Sequence, residues 1–189
     1  GSGKDHYAFY HEDMKDEHLA PHREKTASAA GVRTAKKRRM LIVDDSAMDV
    51  ELLSGIFKND FIVEKAKDGN SALIRLRHYG TAISVVLLDL LMPGMDGFAV
   101  LKKMRDSAEM QSIPVVVVSG AEDRETSLRS IRCGASDFVN KPVDPELLRI
   151  RVQSAISKAE NERLRAQNSL LEIEDGELQK YRTVLEHTG

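Results

Sequence analysis

Val85-Val86-Leu87-Leu88-Asp89-Leu90-Leu91-Met92-Pro93-Gly94-Met95-Asp96-Gly97 is the stretch on which the reading of this chain turns. Val85 to Leu88 are apolar in succession, without the alternation of a half-exposed strand, which suits a strand covered on both faces as in a parallel sheet. The run stops on a carboxylate, Asp89, and Pro93-Gly94 and Asp96-Gly97 then mark a loop. Asp89 is thereby placed at the carboxyl end of a buried strand, the edge on which open α/β sheets carry their ligand sites. A carboxylate there is costly to bury unless something pairs with it. Taken alone, Asp89 reads as a strand-end residue that caps the loop after it.

Working outward, the same pattern repeats. Met40 to Val43 is an apolar strand ending on Asp44-Asp45, and Ser46 is a natural N-cap for a helix whose buried face carries Val50, Leu53, Ile56 and Phe57. Phe61-Ile62-Val63 begins a second strand, and Asp68-Gly69 turns it into a helix with Ala72, Leu73 and Leu76. Downstream, Asp96 caps a helix marked by Phe98, Val100, Leu101 and Met104. Pro114 to Val118 forms a fourth strand ending on Ser119-Gly120. A polar helix with Leu128 and Ile131 follows and closes at Gly134, a position free to take φ > 0. Asp137 to Asn140 is a short fifth strand ending on Lys141-Pro142, and Pro145 opens a last helix in its first turn. Five strand–helix units in alternation predict a parallel sheet with right-handed crossovers and helices on both faces.

In such a sheet all strand ends share one edge, so Asp44, Asp45, Asp89, Ser119 and Lys141 converge. That convergence overturns the capping reading of Asp89. Three carboxylates held close together repel one another and raise each other's pKa, and a hard divalent cation such as Mg²⁺ removes the conflict. Lys141 adds a point charge able to hold a phosphate oxygen, and the Ser119 hydroxyl can donate to another. A site of this kind stabilises a phosphoryl group in flight and needs only a nucleophile. Asp89, central among the five strands, is that nucleophile, giving an aspartyl phosphate.

With these residues assembled, the chain from about Arg38 to Ser157 resembles a response-regulator receiver domain of two-component signalling. The resemblance is carried by Asp44-Asp45 after the first strand, Asp89 after the third, Met92-Pro93 and Gly97 beyond it, Ser119 after the fourth and Lys141-Pro142 after the fifth. It implies a flavodoxin-like doubly wound sheet of order 2-1-3-4-5 and phosphoryl transfer from a sensor histidine kinase, a phosphotransfer protein or a small-molecule phosphodonor. It also implies that Asp44, Asp45 and Asp89 bind Mg²⁺ with the main-chain carbonyl of Leu91. Ser119 and Phe138 match the family's switch pair, and Lys141 matches the lysine that pairs with the phosphoryl group. Alone, each of these residues has a plainer reading, Phe138 as a core aromatic and Lys141 as a solvated cation beside a constrained proline peptide that is a candidate for the cis form. Gly120 departs from the alanine common in the family. Leu91 and Ala121 are apolar where some relatives place groups that orient water, and slow self-hydrolysis is expected from them.

The flanks read differently. Residues 1–37 are expected to be a tag remnant and a flexible segment, 38–157 the receiver domain, and 158–189 a helical linker. In the first segment His18 and His22 are four apart but straddle Pro21, so a solvated tail is favoured over a metal site. Tyr7, Phe9 and Tyr10 form a candidate docking hook, and Lys36-Lys37-Arg38-Arg39 reads as a solvated approach to the first strand. At the other end, no proline or turn cluster stops the last helix. Leu164, Leu171, Leu178 and Leu185 recur every seven residues, with Asn168 at an a position between poorer ones, Asp175 and Arg182. A parallel dimeric coiled coil and a solvated single helix are both compatible, and the former is favoured. Tyr181 to Gly189 resembles the opening of a PAS sensory domain. With 28 Lys and Arg against 30 Asp and Glu, nothing global points to nucleic acid or a membrane. One cysteine, Cys133, permits no intrachain disulfide and fits a cytoplasmic setting. Two rival functions remain: a degenerate receiver that serves as a scaffold, and a phosphohydrolase of the haloacid dehalogenase type. The second needs an Asp two residues after the nucleophile, where this chain has Leu91.

Overall fold

A computed structural model describes residues 37–120 and 124–186. Strands β1 (Arg38–Val43), β2 (Phe61–Ala66), β3 (Ile83–Leu88), β4 (Val115–Ser119) and β5 (Asp137–Asn140) form one parallel sheet of order β2-β1-β3-β4-β5. Helices α1 (Ala47–Phe57), α2 (Gly69–Tyr79), α3 (Gly97–Arg105), α4 (Arg124–Arg132) and α5 (Pro145–Glu186) connect and follow them, with a short 3₁₀ turn at Gly80–Ala82. This is the expected flavodoxin-like arrangement with an extended last helix.

Successive side chains of a strand point to opposite faces, and the core divides accordingly. Leu41, Val43, Val86, Leu88, Val115 and Val117 face Ala72, Leu73 and Leu76 of α2 and Val100, Leu101 and Met104 of α3. Met40, Ile42, Val85, Leu87, Val116 and Val118 face Leu53 and Phe57 of α1 and Leu148, Val152, Ala155 and Ile156 of α5. Both faces of the three central strands are therefore covered, which is why their sequences run apolar without a break.

The capping residues act as their sequence positions suggested. Ser46, Asp68 and Asp96 accept from the amides of Asp49, Ser71 and Ala99 at 3.3, 2.8 and 2.8 Å. Asp144 Oδ1 accepts from Glu146 and Leu147 at the start of α5. Gly134 takes φ +99° after α4, and the Lys141–Pro142 peptide is cis.

Three local expectations change. Strand β1 starts two residues earlier than the apolar run and includes Arg38, which is exposed, and Arg39, which is half-buried, each held in an ion pair. Arg38 pairs with Glu160 at 2.8 Å, while Arg39 pairs with Glu64 and lies over the Tyr79 ring. Second, β2 extends past its apolar core to Ala66, because the ladder with β1 continues through Glu64 and Lys65, and β3 reaches back to Ile83, which pairs with Arg39 across a register shift at Ser84. Third, Leu128 and Ile131 of α4 are exposed, at 46% and 45%, and only Ser130 of that helix is buried. No described helix is long and apolar enough to cross a membrane. His18, His22, Tyr7, Phe9, Tyr10, Lys36 and Ala121 lie outside the described residues.

Candidate functional site

The site is built at the carboxyl edge of the sheet by four adjacent strand ends, those of β1, β3, β4 and β5. Val43 of β1 pairs with Leu88 of β3, so Asp44 and Asp89 leave the sheet side by side. Their backbones are locked there: the Asp44 amide donates to Ala66 O at 3.1 Å, and the Asp89 amide to Val43 O at 2.9 Å. Each carboxylate then divides its work between two oxygens. Asp44 Oδ1 accepts from the Ser46 amide at 2.8 Å, and Asp89 Oδ1 from the Leu91 amide at 3.1 Å. These local side-chain-to-backbone bonds are the Asx turns that Asp favours at strand ends. The second oxygens are turned to a common cation. Lys141 Nζ donates to Asp44 Oδ2 at 2.8 Å and to Asp89 Oδ2 at 3.3 Å.

Lys141 arrives from β5, whose last pair, Ser119 with Asn140, brings the fourth and fifth strand ends together. The Lys141 amide also donates to Ser119 O at 2.9 Å. Ser119 is wholly buried, and its hydroxyl has no hydrogen-bond partner among the described residues. A buried polar group without a partner is unfavourable, and it marks a position where an acceptor is missing. Phe138, paired with Val117, is half-buried against the α2–α3 face of the core. Leu91 presents its amide to Asp89 while its side chain is 65% exposed.

The electrostatics of the site are unbalanced. Asp44 is 1% exposed, and burial pushes its pKa up, against the pull of Lys141 and the Ser46 amide. Burial pulls Lys141 the other way, but the hydrogen bonds it donates to Asp44 and Asp49 and the charge of Asp89 more than offset it, so its ammonium titrates above the usual lysine range. Asp44, Asp45 and Asp89 can each present a carboxylate oxygen with all three within 4.8 Å of one another. A single ammonium does not balance that many carboxylates at close range. The surplus of anionic oxygens, with Asp45 exposed beside two buried partners, fits a hard divalent cation and suits Mg²⁺.

Asp44, Asp45, Asp89, Ser119 and Lys141 are thus brought together as their strand-end positions suggested, with Phe138 on the neighbouring strand. One participant is new. Asp49, in the first turn of α1, accepts from Lys141 Nζ at 2.9 Å. That bond holds its carboxyl below the usual aspartate range. In the sequence Asp49 reads as an acid favoured by the helix N-terminus, and its spacing of four from Asp45 is the only further signal.

The chain matches the response regulator receiver domain over residues 40–153. It is 38% identical over 117 residues to the response regulator PleD of Caulobacter vibrioides, which is 61% of this chain and 25% of that protein. This chain therefore spans only a quarter of that relative's length. It is 32% identical over 120 residues to the two-component response regulator ORR5 of Oryza sativa, 64% of this chain and 90% of that protein. Among solved structures, the receiver domain of NtrX from Brucella abortus aligns with a TM-score of 0.57 at 31% identity, covering 62% of this chain and 98% of that one.

Proposed function

The chain belongs to the response regulator receiver domain family, and on that premise we propose that it is a signalling switch set by phosphorylation of Asp89. Receiver domains are phosphoacceptor modules with autocatalytic transfer and loss of the phosphoryl group, not enzymes of the usual turnover kind. The observation that carries the reading is the cluster itself: buried Asp89 beside Asp44, Asp45 and Lys141, with the orphaned Ser119 hydroxyl on the next strand.

In this reading an Asp89 carboxylate oxygen attacks phosphorus of a phosphohistidine on a sensor kinase or phosphotransfer protein. The new O–P bond forms as the P–N bond breaks, and the imidazole leaves with the bonding pair and takes up a proton. Asp44, Asp45, Asp89 and the Leu91 carbonyl hold Mg²⁺, which supplies charge neutralisation around the phosphoryl oxygens when bound. Lys141 turns from Asp89 Oδ2 to a phosphoryl oxygen, and the Ser119 hydroxyl gains the acceptor it lacks. Phe138 follows Ser119, one strand away, as the aromatic half of the switch. In the sequence Leu91 and Ala121 are apolar at positions where some relatives carry groups that orient water, which supports slow self-hydrolysis.

The output side rests on α5. Its 42 residues reach about 63 Å at 1.5 Å per residue. We place the domain boundary at 157, because Ile156 is the last buried residue of the helix and the described side chains from Glu160 on are exposed. Leu164, Leu171 and Leu178 are 54%, 53% and 66% exposed, which supports a parallel coiled coil with a second copy. That seam would carry the switch to an output module, for which the PAS-like Tyr181–Gly189 is the supporting feature. A kinase partner and the single cysteine support a cytoplasmic setting.

The test is intact mass after incubation with acetyl phosphate and Mg²⁺, on wild type and Asp89→Asn. One acid-stable, base-labile phosphoryl adduct on wild type alone is expected. No adduct from acetyl phosphate or from a cognate kinase would leave the chain a scaffold instead.

A further inference from the structure

We propose that Asp49 is a positioning residue: it is the acceptor that holds the Lys141 ammonium between Asp44 and Asp89 before phosphorylation and releases it to the phosphoryl group afterward. The inference rests on the reading of Asp89 as phosphoacceptor.

The geometry carries it. An ammonium has three N–H donors, and those of Lys141 are all committed, to Asp44 Oδ2 at 2.8 Å, Asp49 Oδ2 at 2.9 Å and Asp89 Oδ2 at 3.3 Å. The two short bonds run toward α1 and the end of β1, and the long one runs to the proposed nucleophile. Asp49 and Asp44 therefore draw the cation away from Asp89. A phosphoryl group on Asp89 takes over the third donor from Oδ2, and its charge of about −1.5 to −2 draws the ammonium more strongly than the carboxylate did, so the bonds to Asp44 and Asp49 are the ones that loosen. Asp44 is buried and belongs to the cation cluster, whereas the Asp49 side chain is 33% exposed and can be rehydrated on release. Asp49 is the acceptor that costs least to abandon. Its own frame is fixed, since its amide donates to the Ser46 hydroxyl at 3.3 Å and it sits in the first turn of α1.

Two consequences of opposite sign follow. In the resting protein, Asp49 keeps Lys141 from settling fully on Asp89, whose bond is the long one, and leaves that oxygen available to a divalent cation. Loss of the Asp49 charge should weaken Mg²⁺ binding. In the phosphorylated protein, Asp49 competes with the phosphoryl group for the same ammonium. Loss of the charge should then strengthen binding of a phosphoryl analogue.

The experiment measures Mg²⁺ affinity and, at saturating Mg²⁺, beryllofluoride affinity on the full chain, for wild type, Asp49→Asn and Asp49→Ala. For both variants Mg²⁺ affinity should fall and beryllofluoride affinity rise, each by about three- to tenfold, the range of a partly exposed charge pair. In a Lys141→Met background the Asp49→Asn effect on Mg²⁺ should shrink below about twofold, because no ammonium is left to position. A merely structural role would move both affinities the same way, and that result, or no change in either, overturns the proposal. An undiminished effect in the Lys141→Met background also overturns it. If wild type binds neither Mg²⁺ nor beryllofluoride, the acceptor reading of Asp89 fails and takes this inference with it. Normal wild-type binding with unchanged Asp49 variants defeats the inference alone.

Discussion

Gly97→Ala is the perturbation that most directly joins the packing of this fold to its chemistry. Gly97 opens α3 on the far side of the loop after Asp89, and its amide donates to Leu90 O at 3.1 Å. A Cβ built there would stand 2.7 Å from Leu90 Cα and closer still to the Asp89 carbonyl oxygen. Ordinary contact begins at 3.4 Å, so the helix start and the strand end must separate by at least 0.7 Å. Both obstructing groups are backbone, and no rotamer change relieves them. Overpacking of this kind costs about 2–3 kcal/mol, which for a domain of this size lowers Tm by roughly 5–10 °C. The strain falls on the proposed phosphoacceptor, Asp89. Moving Asp89 against Lys141 and Ser119 by a good fraction of an ångström should slow acetyl phosphate-driven phosphorylation at least tenfold, since misplacement near 1 Å can cost about a hundredfold. Thermal unfolding and time-resolved intact mass on the same preparation check both numbers. Wild-type Tm together with a wild-type rate would refute the reasoning. Normal stability with slow phosphorylation would locate the accommodation entirely in the loop.

Three further outcomes are expected. Ser119→Ala removes a buried hydroxyl that has no partner among the described residues, so unfolding free energy should fall by no more than about 0.5 kcal/mol, while beryllofluoride affinity drops about tenfold. Lys141→Met leaves Asp44, Asp49 and Asp89 without their shared cation and should destabilise the metal-free protein by roughly 1–3 kcal/mol, with part regained on adding Mg²⁺. The Lys141 pKa is raised above its ordinary 10.5, so its contribution is complete below that value and is lost as pH rises through the raised one. Wild-type and Lys141→Met stabilities should therefore stay apart from neutral pH up to that value and converge above it, as followed by denaturant titration. Finally, the proposed coiled coil predicts self-association in sedimentation velocity that Leu171→Asp abolishes and Gly176→Ala strengthens by adding about 1 kcal/mol of helix propensity per chain.

Most of the site was legible because its residues share one topological property. Asp44, Asp89 and Ser119 each close an apolar run and Lys141 follows a short strand, and parallel strands bring all such ends to one edge without any knowledge of side-chain packing. The caps were legible for a similar reason, since Ser46, Asp68 and Asp96 bond to amides three residues on and need nothing from elsewhere in the chain. Leu128 and Ile131 were less readable, because α4 packs beside β5 with one buried residue and the apolar pair points outward. Hydrophobic spacing reports the amphipathicity of a helix, not which neighbour its face meets.

By itself the sequence determined the order of elements, the covered central strands and the convergence of three carboxylates and a lysine. All of these follow from period and chain direction. Only the tertiary structure decided how the ammonium is shared. Asp49 and Lys141 are 92 positions apart and belong to different elements, so no local pattern links them. Whether Lys141 leans toward Asp89 or toward Asp44 and Asp49 is set by differences of a few tenths of an ångström between helix α1 and the end of β5. Leu53 and Phe57 of α1 share one buried core with Val118 and Val139, where close-packed side chains leave little freedom.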